Sequence, residues 1–173
     1  MQAQAFLRAV TMDHADLMDE ILRRLEDARV PYCVIGGQGV NAYVDPLVSL
    51  DLDLVVAAAS IDSLLATFPP HMKVERFPHS INVSAAGSDL RIQLQLDPRY
   101  AEFPARASER LVLGRSMRVA AVQDVLSGKV WAASDLERRA SKRQKDLADI
   151  ARLIERYPDL RAQVPTAILD RLI

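Results

Sequence analysis

The chain has 173 residues, 50% of them apolar, and its 22 basic and 23 acidic side chains leave a formal net charge of -1. That length and apolar share suit one modest hydrophobic core, and a charge so near zero excludes a global field drawing the protein to nucleic acid or membrane. The single cysteine, Cys33, excludes an internal disulfide and fits a reducing compartment.

Along the chain, Met1 to Val10 carries Gln2, Gln4 and Arg8 among its apolar residues, so neither a signal peptide nor a membrane span is expected, and a cytoplasmic location follows. Asp13 to Ala28 reads as an amphipathic helix, with Leu17, Ile21, Leu22 and Leu25 at helical spacing. Tyr32-Cys33-Val34-Ile35 is a short buried strand running into Gly36-Gly37, and Gln38 to Val44 is the helix after it. Leu52 to Val56 is the next strand. Ser60 is placed to cap a helix reaching about Phe68, where Pro69-Pro70 stops it.

Strands are predicted near Lys73 to Phe77, Ile81 to Ala85 and Leu90 to Leu96, the last two joined by a Gly87-Ser88 turn. From Val122 the pattern is helical to the end, punctuated by Pro158 and Pro165. The predicted architecture is α/β: a mixed sheet with flanking helices over residues 1–120, and a helical extension over 121–173 packed on it as one structural unit. There is no internal repeat.

The glycine pair is followed, after residues 38 to 50, by Asp51-Leu52-Asp53-Leu54. Side chains at i and i+2 of a strand share a face, so Asp51 and Asp53 stand side by side while Leu52 and Leu54 face the core. Such a like-charged pair is best tolerated where a divalent cation bridges it, Mg²⁺ being the usual choice beside phosphates. The apolar-Gly-Gly element and the spaced Asp-apolar-Asp resemble the signature of the polymerase-beta-like nucleotidyltransferase superfamily.

That resemblance implies a mixed-sheet nucleotidyltransferase core, with Asp51 and Asp53 as catalytic residues holding Mg²⁺ or Mn²⁺. It implies that backbone N–H groups at Gly36 and Gly37 approach a nucleoside triphosphate, with Gln38 and Ser49 beside it. The acceptor of the transferred nucleotide is then a small molecule, a tRNA end or a protein side chain.

Two departures from the signature matter. The superfamily takes a third carboxylate from a neighbouring strand. Here Leu90, Ile92, Leu94 and Leu96 form the buried face of that strand, while Arg91, Gln93, Gln95 and Asp97 form the other. Gln93 or Gln95 stands where the carboxylate is expected, and an amide ligates Mg²⁺ weakly and takes no proton. Asp97 has the right parity, but as a strand-end Asp before Pro98 it reads better as the opener of a turn. Asp89 has the opposite parity. Relatives also carry an Arg and a Thr before the Asp pair, where this chain has Leu47, Ser49 and Leu50. Two functions therefore stand: a Mg²⁺-dependent nucleotidyltransferase, or a catalytically degenerate module that binds or senses nucleotide.

The C-terminal helices supply cations. Lys129 falls inside the stripe Val122, Val125, Leu126, Val130 and Ala133, where a lysine must snorkel or meet an anion. Arg138 to Asp146 is strongly basic, and one turn back from the Leu147, Ile150, Ala151 and Ile154 stripe lie Arg143 and Gln144, so the inward face is expected to turn polar at that end. By helix spacing alone, Lys142 pairs with Asp146 and Lys145 with Asp149.

Lys-x-x-Lys-Asp-x-x-Asp over Lys142 to Asp149 also resembles a helix of bacterial abortive-infection type nucleotidyltransferases. That resemblance implies that Lys129, Lys142 and Lys145 contact triphosphate while Asp146 and Asp149 support them; it leaves open a partner protein and whether the chain is half of a toxin–antitoxin pair. His14, His71 and His79 lack metal-ligand spacing, so zinc is not expected. Trp131 is expected to serve packing.

Overall fold

The computed structural model describes residues 17–172. Met1 to Val10, the Asp13–Asp16 start of the predicted first helix and His14 lie outside them. Helix α1 occupies 17–27, and its Leu17, Ile21 and Leu25 are buried. Strand β1 (Tyr32–Ile35) is buried throughout and passes directly into α2 (Gly36–Asn41). Thus the helix starts on the glycines, two residues before the predicted Gln38. It ends at Asn41 because the next residues tighten into turns, with Tyr43 N and Val44 N both donating to Val40 O.

Strand β2 (Asp51–Val56) follows, then α3 (Ile61–Leu65). Ser60 does not cap α3: it ends a short 3-10 turn with helical dihedrals, and its hydroxyl makes no cap bond. The strands β3 (Met72–Arg76), β4 (Ser80–Ala85) and β5 (Arg91–Gln95) lie within a residue of the predicted spans. The short α4 (Phe103–Arg106) leads to a hairpin, β6 (Ser108–Val112) and β7 (Arg115–Val119), that sequence reading does not supply. Its turn holds Leu113 at φ 51° and Gly114 at φ 77°, the primed geometry that suits hairpin twist. A leucine at the first position hides the turn from pattern reading.

The seven strands form one sheet in the order β3-β4-β5-β2-β1-β7-β6. β2 runs parallel to β5, and β1 parallel to β7; the other pairs are antiparallel. The sheet is therefore mixed, in an α+β arrangement.

Alternation divides its apolar residues between two cores. Leu52, Leu54, Ile92, Leu94, Ile81 and Val83 pack with α1 on one side. Cys33, Ile35 and Val55 pack on the other with α5 (Val122–Ser134) and α6 (Ala140–Arg156). The C-terminal helices thus share their core with the central strands. A last short helix, α7 (Thr166–Leu169), joins that layer. Burial pushes the Cys33 thiol up to about 12, so it serves as a small core residue. Trp131 stacks on Phe103 at 5.8 Å and meets Tyr100 edge-on at 5.1 Å. Among the described residues no helix is long and apolar enough to cross a membrane.

Candidate active site

The two aspartates stand on the α5–α6 face of β2. Register sets their neighbours: Asp53 is opposite Ile35 on β1 and beside Gln93 on β5. Since Ile35 is the last residue of its strand, the chain must turn away over Asp53, and Gly36 makes that turn at φ 67°. A Cβ on Gly36 would overlap the Asp53 carboxylate. Gly37 is different, since a Cβ there would meet only Ser49 Oγ at 3.8 Å. The glycine pair is therefore one obligatory glycine that admits an aspartate and one that lines open space.

The segment between α2 and β2 is tied down by side chains. Gln38, buried, donates from Nε2 to Ser49 O at 3.0 Å. Asn41 brackets Leu47, accepting from its N–H at 3.0 Å and donating to its carbonyl at 2.7 Å. Ser49 Oγ accepts from Asp51 N at 3.3 Å and so fixes the start of β2. Gln38 is thus a brace beneath the loop, while Ser49 reaches the cleft wall.

A cleft of about 640 Å³ opens over the aspartates, walled by the loop, the β3–β5 end of the sheet and α6. Among the described residues six lysines or arginines and five carboxylates line it, so it is built for charge rather than for an apolar guest. Asp51 takes Arg91 Nε at 2.8 Å, with Lys142 Nζ at 3.7 Å. Lys129 is buried on α5, and its ammonium meets Asp146 at 3.1 Å and Asp149 at 2.9 Å. The lysine inside the apolar stripe has met an anion. Burial opposes its charge, yet the two aspartates outweigh that and hold its pKa above the ordinary lysine value. Arg138 completes Asp146 at 2.7 Å, and Arg152 completes Asp149 at 2.8 Å.

These contacts correct the pairing expected from helix spacing. Lys142 reaches Asp51 rather than Asp146, and Asp149 is held by Lys129 and Arg152 rather than Lys145. The buried ammonium of Lys129, brought from α5, lies between Asp146 and Asp149 and takes both, because a desolvated carboxylate is best matched by a desolvated partner; Arg152, one turn on along α6, completes Asp149. The cleft face of α6 runs through Lys142, Lys145, Asp149 and Arg152, a stripe alongside the apolar one. Arg143 and Gln144 are not on it, and Gln144 is exposed.

Gln93 shares the face of Asp51 and Asp53 and lines the cleft. Gln95 does not line it; its side-chain Oε1 accepts from Asp97 N at 3.1 Å. Asp97 opens a 3-10 turn by accepting from Arg99 N at 2.9 Å, and the Arg99 guanidinium holds its carboxyl below the usual range. The position beside the aspartate pair therefore belongs to Gln93.

Asp53 is pushed up to about 6, first by burial and further by Asp51, with Lys129 the foremost charge acting the other way. Among the described residues no hydrogen bond or ion pair engages its carboxylate. Two adjacent carboxylates, one without a partner, fit Mg²⁺, an ion commonly bound through one or two carboxylates with water and phosphate oxygens completing the shell. Among the described residues no group of three His, Cys, Asp or Glu is placed to hold a metal ion by itself.

The raised pKa has a measurable sign. The folded state holds the Asp53 proton up to about pH 6, while the unfolded chain releases it near 3.9, so stability falls as pH rises through that window and stays low above it. Asp53→Asn is expected to remove this fall and to stabilise the protein at pH 7 by roughly 2–3 kcal/mol. Melting temperatures of both proteins from pH 4 to 8 check this; parallel profiles would contradict it.

No protein-family profile matches the chain, and no curated protein matches its sequence. Solved structures match its fold. ANT(2'')-Ia in complex with adenylyl-2''-tobramycin superimposes with a TM-score of 0.61 at 16% identity, over 92% of this chain and 98% of that one. The lincosamide antibiotic adenylyltransferase LnuA, lincomycin-bound, gives 0.53 at 13% identity over 79% and 95%. An antigenic nucleotidyltransferase-like protein from Paracoccidioides brasiliensis gives 0.52 at 18% identity over 83% and 76%. A mixed sheet flanked by helices, matched at this coverage, is the nucleotidyltransferase fold.

Proposed function

We propose that this protein transfers a nucleoside monophosphate from an NTP to a hydroxyl of a small-molecule acceptor: the hydroxyl oxygen bonds to the α-phosphorus, the bond to the β-phosphate bridge breaks with release of pyrophosphate, and the hydroxyl proton is given up. The observation that carries the reading is the unpartnered Asp53 carboxylate, admitted by Gly36 and set beside Asp51, across the cleft from a lysine-bearing helix. Asp51 and Asp53 hold Mg²⁺ or Mn²⁺, which neutralises phosphate charge and polarises the reacting phosphoryl group. Lys142 and Lys145 offer ammonium groups to the phosphates from α6. Lys129, enclosed by Asp146 and Asp149, acts as a fixed buried charge rather than as a direct phosphate contact. Ser49 and Gln38 hold the loop that positions Asp51. The contribution of the protein is then placement and charge compensation.

Two structural neighbours bear antibiotics or an adenylyl derivative, which supports a small-molecule acceptor over tRNA or protein. The Lys142 to Asp149 motif lining the same cleft supports a tie to abortive-infection type relatives. A second reading, a nucleotide-binding module without catalysis, is favoured by Gln93, an amide beside Asp53 where a carboxylate would take the acceptor's proton.

Incubation of the protein and Mg²⁺ or Mn²⁺ with NTPs labelled at the α-phosphate, and with tobramycin, lincomycin or tRNA, tests both. Label transfer lost in Asp53→Asn is the expected result. Either metal with NTP should also raise the melting temperature, since a ligand at a hundred times its Kd stabilises the folded state by about 2.7 kcal/mol. Asp51→Asn combined with Asp53→Asn should remove the rise, and an unchanged response would overturn the metal assignment. Transfer appearing only in Gln93→Asp would establish the dormant module.

A further inference from the structure

The sheet order leaves β3 and β6 as its outer strands, and an outer strand offers its unpaired backbone groups to whatever can pair with them. On β3 the hairpin to β4 decides which groups those are. Phe77 N donates to Ser80 O at 2.8 Å, and bonding direction alternates along a strand, so Glu75 and Lys73 also turn their N–H and C=O toward β4. Val74 and Arg76 therefore direct theirs outward. So does the carbonyl of Met72, whose N–H is taken by Pro69 O at 3.1 Å. Among the described residues no strand pairs with this edge, and the apolar side chains of Val74 and, just past the strand, Phe77 stand exposed beside it.

The order of side chains makes this edge complementary to itself. Two copies related by a twofold axis normal to the sheet keep each face on its own side, so only positions of equal parity can stand opposite each other. An axis centred on Val74 sets Val74 opposite its copy, Met72 opposite Arg76, and Lys73 opposite Glu75 in both directions. Centring on either neighbour sets Lys73 against Lys73 or Glu75 against Glu75, and like charges directly opposite repel.

The register that matches the charges also matches the backbone. In it Val74 N–H meets Val74 O and Arg76 N–H meets Met72 O, while Lys73 and Glu75 fall at the non-bonded positions, where Cα atoms approach to about 4.5 Å. Within one chain the same two charges lie two residues apart along a strand, which is farther, and their pair at 2.6 Å is largely exposed and so weakly held. Strand β6 has no equivalent register. Its Glu109 and Arg110 are adjacent and lie on opposite faces, so neither can stand opposite the other.

We infer that the β3 edge is a homodimer interface, formed by antiparallel pairing with β3 of a second copy about Val74. The two sheets then run on as one, with both clefts on the same face. Because Glu75 lines the cleft, the pairing brings Lys73 of the second copy to the cleft rim.

Sedimentation equilibrium of the native protein, from low to high micromolar concentration, should show a species of twice the 19.2 kDa chain mass. Lys73→Glu and Glu75→Lys should each weaken association by roughly tenfold or more, since both cross-strand pairs turn repulsive. The double exchange Lys73→Glu with Glu75→Lys should restore it, and so should mixing the two single variants, whose edges complement each other. Val74→Pro, which removes an outward N–H that an edge strand does not need for its own sheet, should abolish it with the far-UV circular dichroism unchanged. A monomer at every concentration, association indifferent to the single reversals, or no recovery in either the double exchange or the mixture would overturn the interface. A dimer that survives Val74→Pro but is lost in Leu111→Lys would place it on β6 and overturn it equally.

Discussion

Exchanging Lys129 for methionine is expected to destabilise the protein by about 3 kcal/mol, although the side chain keeps its length and fits the apolar stripe of α5. Removing one member of a buried ion pair typically costs 3–5 kcal/mol, because the remaining charge stays desolvated. Here Asp146 and Asp149 each keep an arginine, Arg138 at 2.7 Å and Arg152 at 2.8 Å, which places the cost at the lower end. Urea denaturation gives the number from the midpoint shift; a loss below about 1 kcal/mol would mean that the arginines alone suffice.

The same substitution has an electrostatic signature at a distance. Lys129 is the foremost charge lowering the Asp53 pKa, so its removal should move that group above about 6 and carry the stability gain on acidification to higher pH. Adding Asp53→Asn to Lys129→Met should abolish that extension while leaving most of the stability loss.

Gly36→Ala is expected to cost a similar amount, about 3 kcal/mol, and to abolish any nucleotidyl transfer. A residue other than glycine held in the left-handed region costs of order 1–3 kcal/mol, and here the new methyl also overlaps the Asp53 carboxylate. Relief requires either a shift of α2 or rotation of Asp53 out of its place beside Asp51. Gly37→Ala, with only Ser49 Oγ at 3.8 Å, should be neutral or stabilising by about 0.5–1 kcal/mol, since alanine favours a helix over glycine.

A double-mutant cycle with Asp53→Ala separates the two parts at Gly36: the backbone strain persists in that background, whereas the overlap with the carboxylate does not. Equal costs in both backgrounds would show that only backbone strain is at work.

The difference between the two glycines shows where sequence reading stops. Gly-Gly after an apolar strand announces a sharp turn, and Asp-x-Asp on the next strand announces a carboxylate pair, because local rules govern both. That Gly36 exists to admit Asp53 follows only from the antiparallel register of β1 and β2. Lys129 behaves likewise: helical spacing puts a lysine in an apolar stripe, which demands an anion, but its anions come from a separate helix. The spacing-based partners of Asp146 and Asp149 were displaced by cations better buried beside them.

Periodicity also had little to offer the β6–β7 hairpin, where Leu113 at φ 51° occupies a turn position that asparagine or glycine usually marks. The open edge of β3 is invisible in one dimension, since which strand ends the sheet follows from the order of all seven. Local pattern is enough for the mixed helix-and-strand composition, the alternation that sorts apolar from polar faces, the paired aspartates and the amide at Gln93, because each depends on neighbours within a few residues. Tertiary structure alone decided which charges pair, which glycine is indispensable and which strands stand at the sheet edges, because these depend on strand register and helix docking, where distant residues compete for the same buried space.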